Sequence, residues 1–251
     1  MAKYTEHKEK DRAIILVVGD SGAGKTSLFA SAANAGYKVR ILDTENKLGV
    51  LRAHLTPEGA ERTSSITFKD DLGKRATGMK EFRNIIYNGW KDGGEDLGPI
   101  SGWGPDTILG VDSATALAEL MKHEALDLNG RKSHEQPTQQ EWYDAVRQMT
   151  NFLDGITSDY LKCNVVITAL PIPIEDELGL TRYYPNLVTK NFSTTAGRYF
   201  DNVVRIYTAK GGEKRIKTVS DNRWELKTIA SDKLDKEVAA DLPLLIKALT
   251  A

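Results

Sequence analysis

The apolar positions of this chain come in short bursts of one period and longer stretches of another. Residues 13–18 form an unbroken apolar and β-branched run, long enough for a buried strand and too short for a helix. Residues 38–42, 107–111 and 164–170 repeat that form, and each predicts a further strand, with 65–68 as an edge-like one. Between them lie helical patterns at 27–35, 47–54, 114–128 and 78–87, the last placing Met79, Phe82, Ile85 and Ile86 on one face. A Thr-x-x-Glu box at Thr138 and Glu141 opens a strong amphipathic helix over 138–153. Gly36 marks the stop of the first helix.

The segments without period are as informative. Residues 89–105, rich in Gly and Pro, predict a long surface loop pinned by Trp90 and Trp103. Pro171 and Pro173 end the strand before them and predict an irregular stretch to about Thr195. Residues 203–207, 215–219 and 224–227 alternate as an antiparallel meander, and 233–249 read as a closing helix. Strands alternating with helices predict an α/β fold with a mostly parallel central sheet. The expected organisation is a flexible lead-in over residues 1–12 and a single domain over 13–251.

Composition changes this picture little. The 251 residues carry 34 Lys+Arg against 35 Asp+Glu, so no global field favours nucleic acid, and any such contact needs a local patch. The single cysteine, Cys163, has no internal partner and precedes an apolar run, which predicts a buried inert thiol. The polar start and the lack of an apolar run of about 18–20 residues predict a cytoplasmic protein with no membrane contact. His7, His54, His123 and His134 show no metal-ligand spacing.

Chemistry enters at Gly19-Asp20-Ser21-Gly22-Ala23-Gly24-Lys25-Thr26, which satisfies G-x-x-x-x-G-K-[ST] at every required position. A strand, this loop and a helix in succession form a cradle for a polyphosphate. Glycines let backbone N–H groups turn inward, Lys25 meets the β- and γ-phosphates, and Thr26 offers a hydroxyl to Mg²⁺. Ser27 opens the helix whose N-terminus faces the phosphates. ATP and Mg²⁺ are the expected cofactors. Asp112, closing the apolar strand TILGVD, is the expected second Mg²⁺ holder, and Glu45 is placed to orient an attacking water.

GDSGAGKTSLFASAANAGYKVRILDTENKL resembles the opening of RecA-family recombinases, in which a strand after the phosphate loop ends in Asp-x-Glu. ILGVDSATAL resembles that family's Mg²⁺-holding strand. A tryptophan-bearing loop, Val111-Asp112-Ser113, Gln140-Glu141-Trp142-Tyr143, Val166-Ile167-Thr168-Ala169 and Phe200-Asp201-Asn202-Val203 follow in the order found in phage-encoded RecA-like ATPases linked to single-strand annealing. The likeness runs over roughly residues 13–228. It implies a RecA-like core with a C-terminal antiparallel meander, Glu45 as catalytic base, ATP hydrolysis, assembly into a ring or filament, and action on single-stranded DNA in phage recombination or replication.

The chain departs from the family in two places. Leu170 stands where the family carries a polar γ-phosphate sensor, which leaves that task to Thr168 or a later residue. Where the family's late lysines reach a neighbour's ATP, this chain has Ser220 and Asn222, leaving Arg223 as the closest cation and Lys217 as the fallback. In the position of the family's DNA loop, Arg182, Lys190 and Arg198 stand among Tyr183, Tyr184, Phe192 and Tyr199, offering cations for phosphates and rings for bases. The acidic Glu175, Asp176 and Glu177 oppose that reading. Two alternatives stay open: a nucleotide-gated assembly module with little turnover, and a small-molecule kinase.

Overall fold

The computed structural model describes residues 11–71, 74–92, 95–176 and 179–250. The lead-in residues 1–10 and Glu177 therefore lie outside the described residues. Ile14–Val18 (β1) is buried along its whole length and takes its neighbours from far down the chain. Asn164–Ala169 (β7) pairs with it in parallel on one side and Asn202–Thr208 (β10) on the other. Beyond β7 the sheet continues through Thr107–Asp112 (β6), Lys38–Asp43 (β2) and Thr63–Thr67 (β3), all parallel. Beyond β10 it reverses into Lys214–Lys217 (β11) and Glu237–Ala239 (β12). The expected architecture, a mostly parallel central sheet flanked by helices and ending in antiparallel strands, is the one observed.

Both faces of the sheet are covered, so its central strands read as continuous apolar runs rather than alternating ones. Ile14, Leu16 and Val18 point into one core with Gly78–Asn88 (α3), Ala114–Leu128 (α4) and Gln139–Thr157 (α5). Ile15 and Val17 point into the other, with Ser27–Asn34 (α1) and the closing helix Leu242–Thr250 (α7). The predicted capping box is present: Glu141 Oε2 accepts from Thr138 N at 2.6 Å while Thr138 Oγ1 accepts from Glu141 N. Cys163 is buried, and burial pushes its thiol up to about 11. Arg12, counted with the lead-in, is buried and donates to the carbonyls of Ile156, Thr157 and Ser158.

Several local expectations need correction. The loop over 89–105 contains a small hairpin, Trp90–Asp92 (β4) with Glu95–Gly98 (β5), and both tryptophans are buried beside each other as expected. Pro57–Glu61 (α2) was not predicted, being too short to show a period. The stretch after Leu170 is ordered: Pro171–Glu175 (β8) pairs with Thr181–Pro185 (β9), and Lys190–Thr195 (α6) follows. A two-stranded ribbon has two free edges, so Pro171 and Pro173 need not interrupt a ladder bond. Residues 224–227 form only isolated bridges, because β10 and β12 already occupy the two sides of β11.

Candidate functional site

The C-terminal ends of β1, β2, β6 and β7 meet at one rim of the sheet, and the loop after β1 curls there against β10. A side chain at Gly19 would stand 2.6 Å from Ile206, so only glycine lets the loop pass this close. Gly22 and Gly24 hold φ of +76° and +101°, the left-handed region that turns successive amides the same way. Ala23 packs inward and donates its N–H to Asp20 O. Lys25 curls back across the loop, with Nζ 2.7 Å from Gly19 O and 3.0 Å from Asp20 O. Burial lowers its pKa from the ordinary lysine range, while Asp112, Glu45 and Asp20 act in the opposite direction.

Thr26 begins α1 with helical backbone angles and does not cap it. Its hydroxyl is directed at Asp112 Oδ2, 2.7 Å away. The other oxygen of Asp112 accepts from Thr168 Oγ1 at 2.5 Å, so strands β6 and β7 and helix α1 converge on this one carboxylate. Burial raises the Asp112 pKa above the ordinary carboxylate range. The Thr168 and Thr26 hydroxyls oppose that shift, and Glu45 and Asp43 add to it. Thr26 Oγ1 and Asp112 Oδ2 are two oxygens on one side of the loop at the separation of neighbouring ligands around a small hard cation, directly or through water. Among the described residues, no three His, Cys, Asp or Glu side chains gather into a metal-binding group of their own.

Glu45 is held by the strand end beside it. Asp43 Oδ1 accepts the amides of Glu45 and Asn46, tightening the turn in which Asn46 adopts φ +56°. Thr44 Oγ1 accepts from Ser113 N and donates to Ser113 O, locking β2 to β6 just past their ends. The peptide between Asp112 and Ser113 is cis. Ser113 Oγ then donates to Glu45 Oε1 at 2.5 Å. In the sequence Thr168 stands only as a substitute γ-phosphate sensor, and Thr44 and Ser113 carry no assigned role. The Ser of the VDS motif was the available signal for Ser113.

The structure thus brings Lys25, Thr26, Asp112 and Glu45 together. Leu170 is fixed by its backbone, with its N–H on Thr115 Oγ1 and its carbonyl accepting from Asn186 N. Arg223 lies elsewhere, in an exposed turn where Asp221 Oδ1 accepts its N–H and its carbonyl accepts from Tyr183 N. Lys217 is ion-paired with Asp221 at 2.9 Å. Trp224, next to Arg223 in the chain, stacks on Tyr183 and lies under Arg205.

The residues expected to meet DNA stand on three successive elements. Arg182 is on β9, Lys190 opens α6, and Arg198 is exposed with its guanidinium on Tyr199. Phe192 corrects the expectation of a stacking platform: it is buried in the core against Tyr199, because α6 turns its apolar face inward. A cleft of about 620 Å³ between β3 and α3, lined by Ile66, Lys80, Arg83 and Tyr87, holds none of the candidate residues. Among the described residues no helix is long and apolar enough to cross a membrane.

A family model described as an AAA domain (AAA_24) matches residues 11–228. No curated protein matches the chain. A crystal structure of the RadB recombinase is similar, with a TM-score of 0.45 and 15% identity over 81% of this chain and 79% of that one.

Proposed function

We propose that this chain, which belongs to the AAA domain family, is a Mg²⁺-dependent ATPase that assembles with copies of itself and acts on single-stranded DNA. The observation that carries the reading is the convergence of Lys25, Thr26 and Asp112 on the phosphate loop, with Glu45 held beside them. The loop amides and Lys25 bind the β- and γ-phosphates, and Thr26 and Asp112 hold Mg²⁺. When bound, the cation neutralises charge on the phosphate oxygens. Glu45 accepts a proton from the attacking water as its oxygen bonds to the γ-phosphorus and the bridging oxygen of ADP departs. A positioned base of this kind contributes roughly 10²–10⁴-fold.

DNA action rests on less: the exposed cations Lys190 and Arg198, the partly exposed Arg182, and the resemblance to phage RecA-like ATPases. One observation favours the second reading, an assembly module with little turnover. Leu170 offers no side-chain donor to a γ-phosphate, so the path from hydrolysis to β8 and β9 lacks a polar relay at that point. The deciding experiment is ATP turnover with and without single-stranded DNA, with Lys25→Ala as control. Turnover that DNA accelerates and Lys25→Ala abolishes supports the first reading. Tight ATP binding with negligible turnover in both conditions supports the second.

A further inference from the structure

Charge around the phosphate loop is lopsided. Asp20, Glu45 and Asp112 all act on Lys25, the one cation inside the loop, and a nucleotide would add several further negative charges. Lys47 pairs with Glu45 at 3.9 Å, and a further cation touches the loop itself from β11. Lys214 Nζ donates to Gly22 O at 2.8 Å and to Thr208 Oγ1 at 2.6 Å. Its methylenes lie over the loop, since a Cβ on Gly24 would stand 3.5 Å and 3.6 Å from its Cγ and Cδ. Because β10 runs parallel to β1, the turn from Thr208 to Lys214 is delivered to the same rim as the loop.

Its partners are telling. Arg215 pairs with Glu213 and Lys217 with Asp221, yet Lys214 on the same strand has no acidic partner among the described residues. Both of its acceptors are neutral and exposed. A phosphate oxygen would replace a neutral acceptor by an anionic one, so that both partners of the hydrogen bond carry charge. The flexible four-carbon stem lets Nζ move while the backbone of β11 stays in place.

We propose that Lys214 is a second nucleotide-binding cation, which leaves Gly22 O and Thr208 Oγ1 for a phosphate oxygen of a nucleoside di- or triphosphate bound in the loop of the same subunit. This rests on the nucleotide-binding reading above. It adds a contact within one chain, separate from any arginine of a neighbour, and no sequence motif marks it.

The test is equilibrium binding of Mg·ATP and Mg·ADP by calorimetry to the full chain and to Lys214→Gln, Lys214→Ala and Lys214→Arg. Lys214 is exposed, so these variants are expected to fold, and circular dichroism melts check that they do. Gln keeps a donor for Gly22 O but loses the charge. The expected result is a loss of about 10-fold or more for both Gln and Ala, converting a charged hydrogen bond into affinity. The loss should shrink at high salt, and Arg should restore most of it. Wild-type affinity in the Gln variant overturns the proposal, whether or not Ala is weakened, since Lys214 would then only pin the loop or do nothing. Failure of the underlying reading looks different: the wild-type chain itself would bind neither nucleotide, or Lys25→Ala would bind them as well as wild type.

Discussion

Ser113 Oγ and Glu45 Oε1 are 2.5 Å apart, a short hydrogen bond between the residue that follows Asp112 and the residue proposed as base. The bond fixes one carboxylate oxygen, and the other lies 3.9 Å from the exposed Lys47 Nζ. Glu45→Gln should therefore retain ATP binding and lose turnover by roughly 10²–10⁴-fold, because an amide cannot accept the proton. Ser113→Ala should lower kcat by a smaller factor with little change in ATP affinity, since it removes only the restraint. Steady-state phosphate release beside equilibrium binding reads both. Wild-type kcat in Glu45→Gln would move the base elsewhere.

Asp112 makes a prediction about acidity. Burial lifts its carboxyl above the ordinary value, so the folded state holds its proton more tightly than the unfolded chain does. The sign follows: folding is relatively favoured at low pH, and this group's contribution turns unfavourable as pH rises through its raised pKa. Asp112→Asn removes the penalty, so without Mg²⁺ the variant should melt higher than wild type at neutral pH, and the gap should close on acidification. Each kcal/mol relieved corresponds to roughly 2–4 °C in a chain of this size. The same variant should lose Mg²⁺-dependent turnover. Coincident melting curves at every pH would remove the buried charge from the explanation.

Gly110 lies beneath Phe29. A Cβ there would come within 2.6 Å of the Phe29 ring, which is itself buried in α1. Gly110→Ala should destabilise the chain by about 1–3 kcal/mol, as overpacking does, visible as a lower urea midpoint. Because the ring belongs to the helix that starts at the phosphate loop, ATP affinity should fall as well. Adding Phe29→Leu should recover part of both losses, and additive effects of the two changes would show that the contact is not the cause.

Arg223 tests assembly. If it reaches a neighbour's ATP, Arg223→Ala should bind nucleotide normally and turn over slowly, by analogy with arginine groups worth roughly 10³–10⁵-fold. Mixing Arg223→Ala with Glu45→Gln subunits should restore some turnover, since certain boundaries then pair an intact base with an intact arginine. Absence of recovery in mixtures shown by sedimentation to co-assemble would leave Arg223 an exposed turn residue.

What could be read from the sequence was what is contiguous. Strand, phosphate loop and helix follow one another without a break from residue 13, Asp112 closes an apolar strand, and Glu45 lies two residues past the end of another. Lys214 could not be found that way. Its meaning comes from β10 lying beside β1, a pairing across most of the chain that no local pattern encodes. Pro171 and Pro173 misled because a breaker rule that holds inside a sheet fails in a free ribbon. Phe192 misled because an aromatic ring among cations looks the same whether it faces solvent or core, and only the packing of α6 separates the two. Residues 224–227 alternate like a strand but meet their neighbours at single residues only, Trp224 at Tyr183 and Lys227 at Val203.

The central position of β1 also dictates when the phosphate cradle can exist. Ala13 N meets Asn164 Oδ1 across 151 residues, and Asn202 reaches Ile14 across 188. β1 is thus synthesised well before either of the strands that flank it. During translation the motif leaves the ribosome ahead of its partners and waits, with its apolar strand unpaired, until both β7 and β10 have followed. Such distant pairings fold slowly and expose apolar strand in the meantime. A nascent or truncated chain ending before Asn202 would carry the whole signature GDSGAGKT and still have no wall of β10 behind Gly19. Nucleotide, which stabilises only the state that binds it, can rescue the finished molecule but not the growing one.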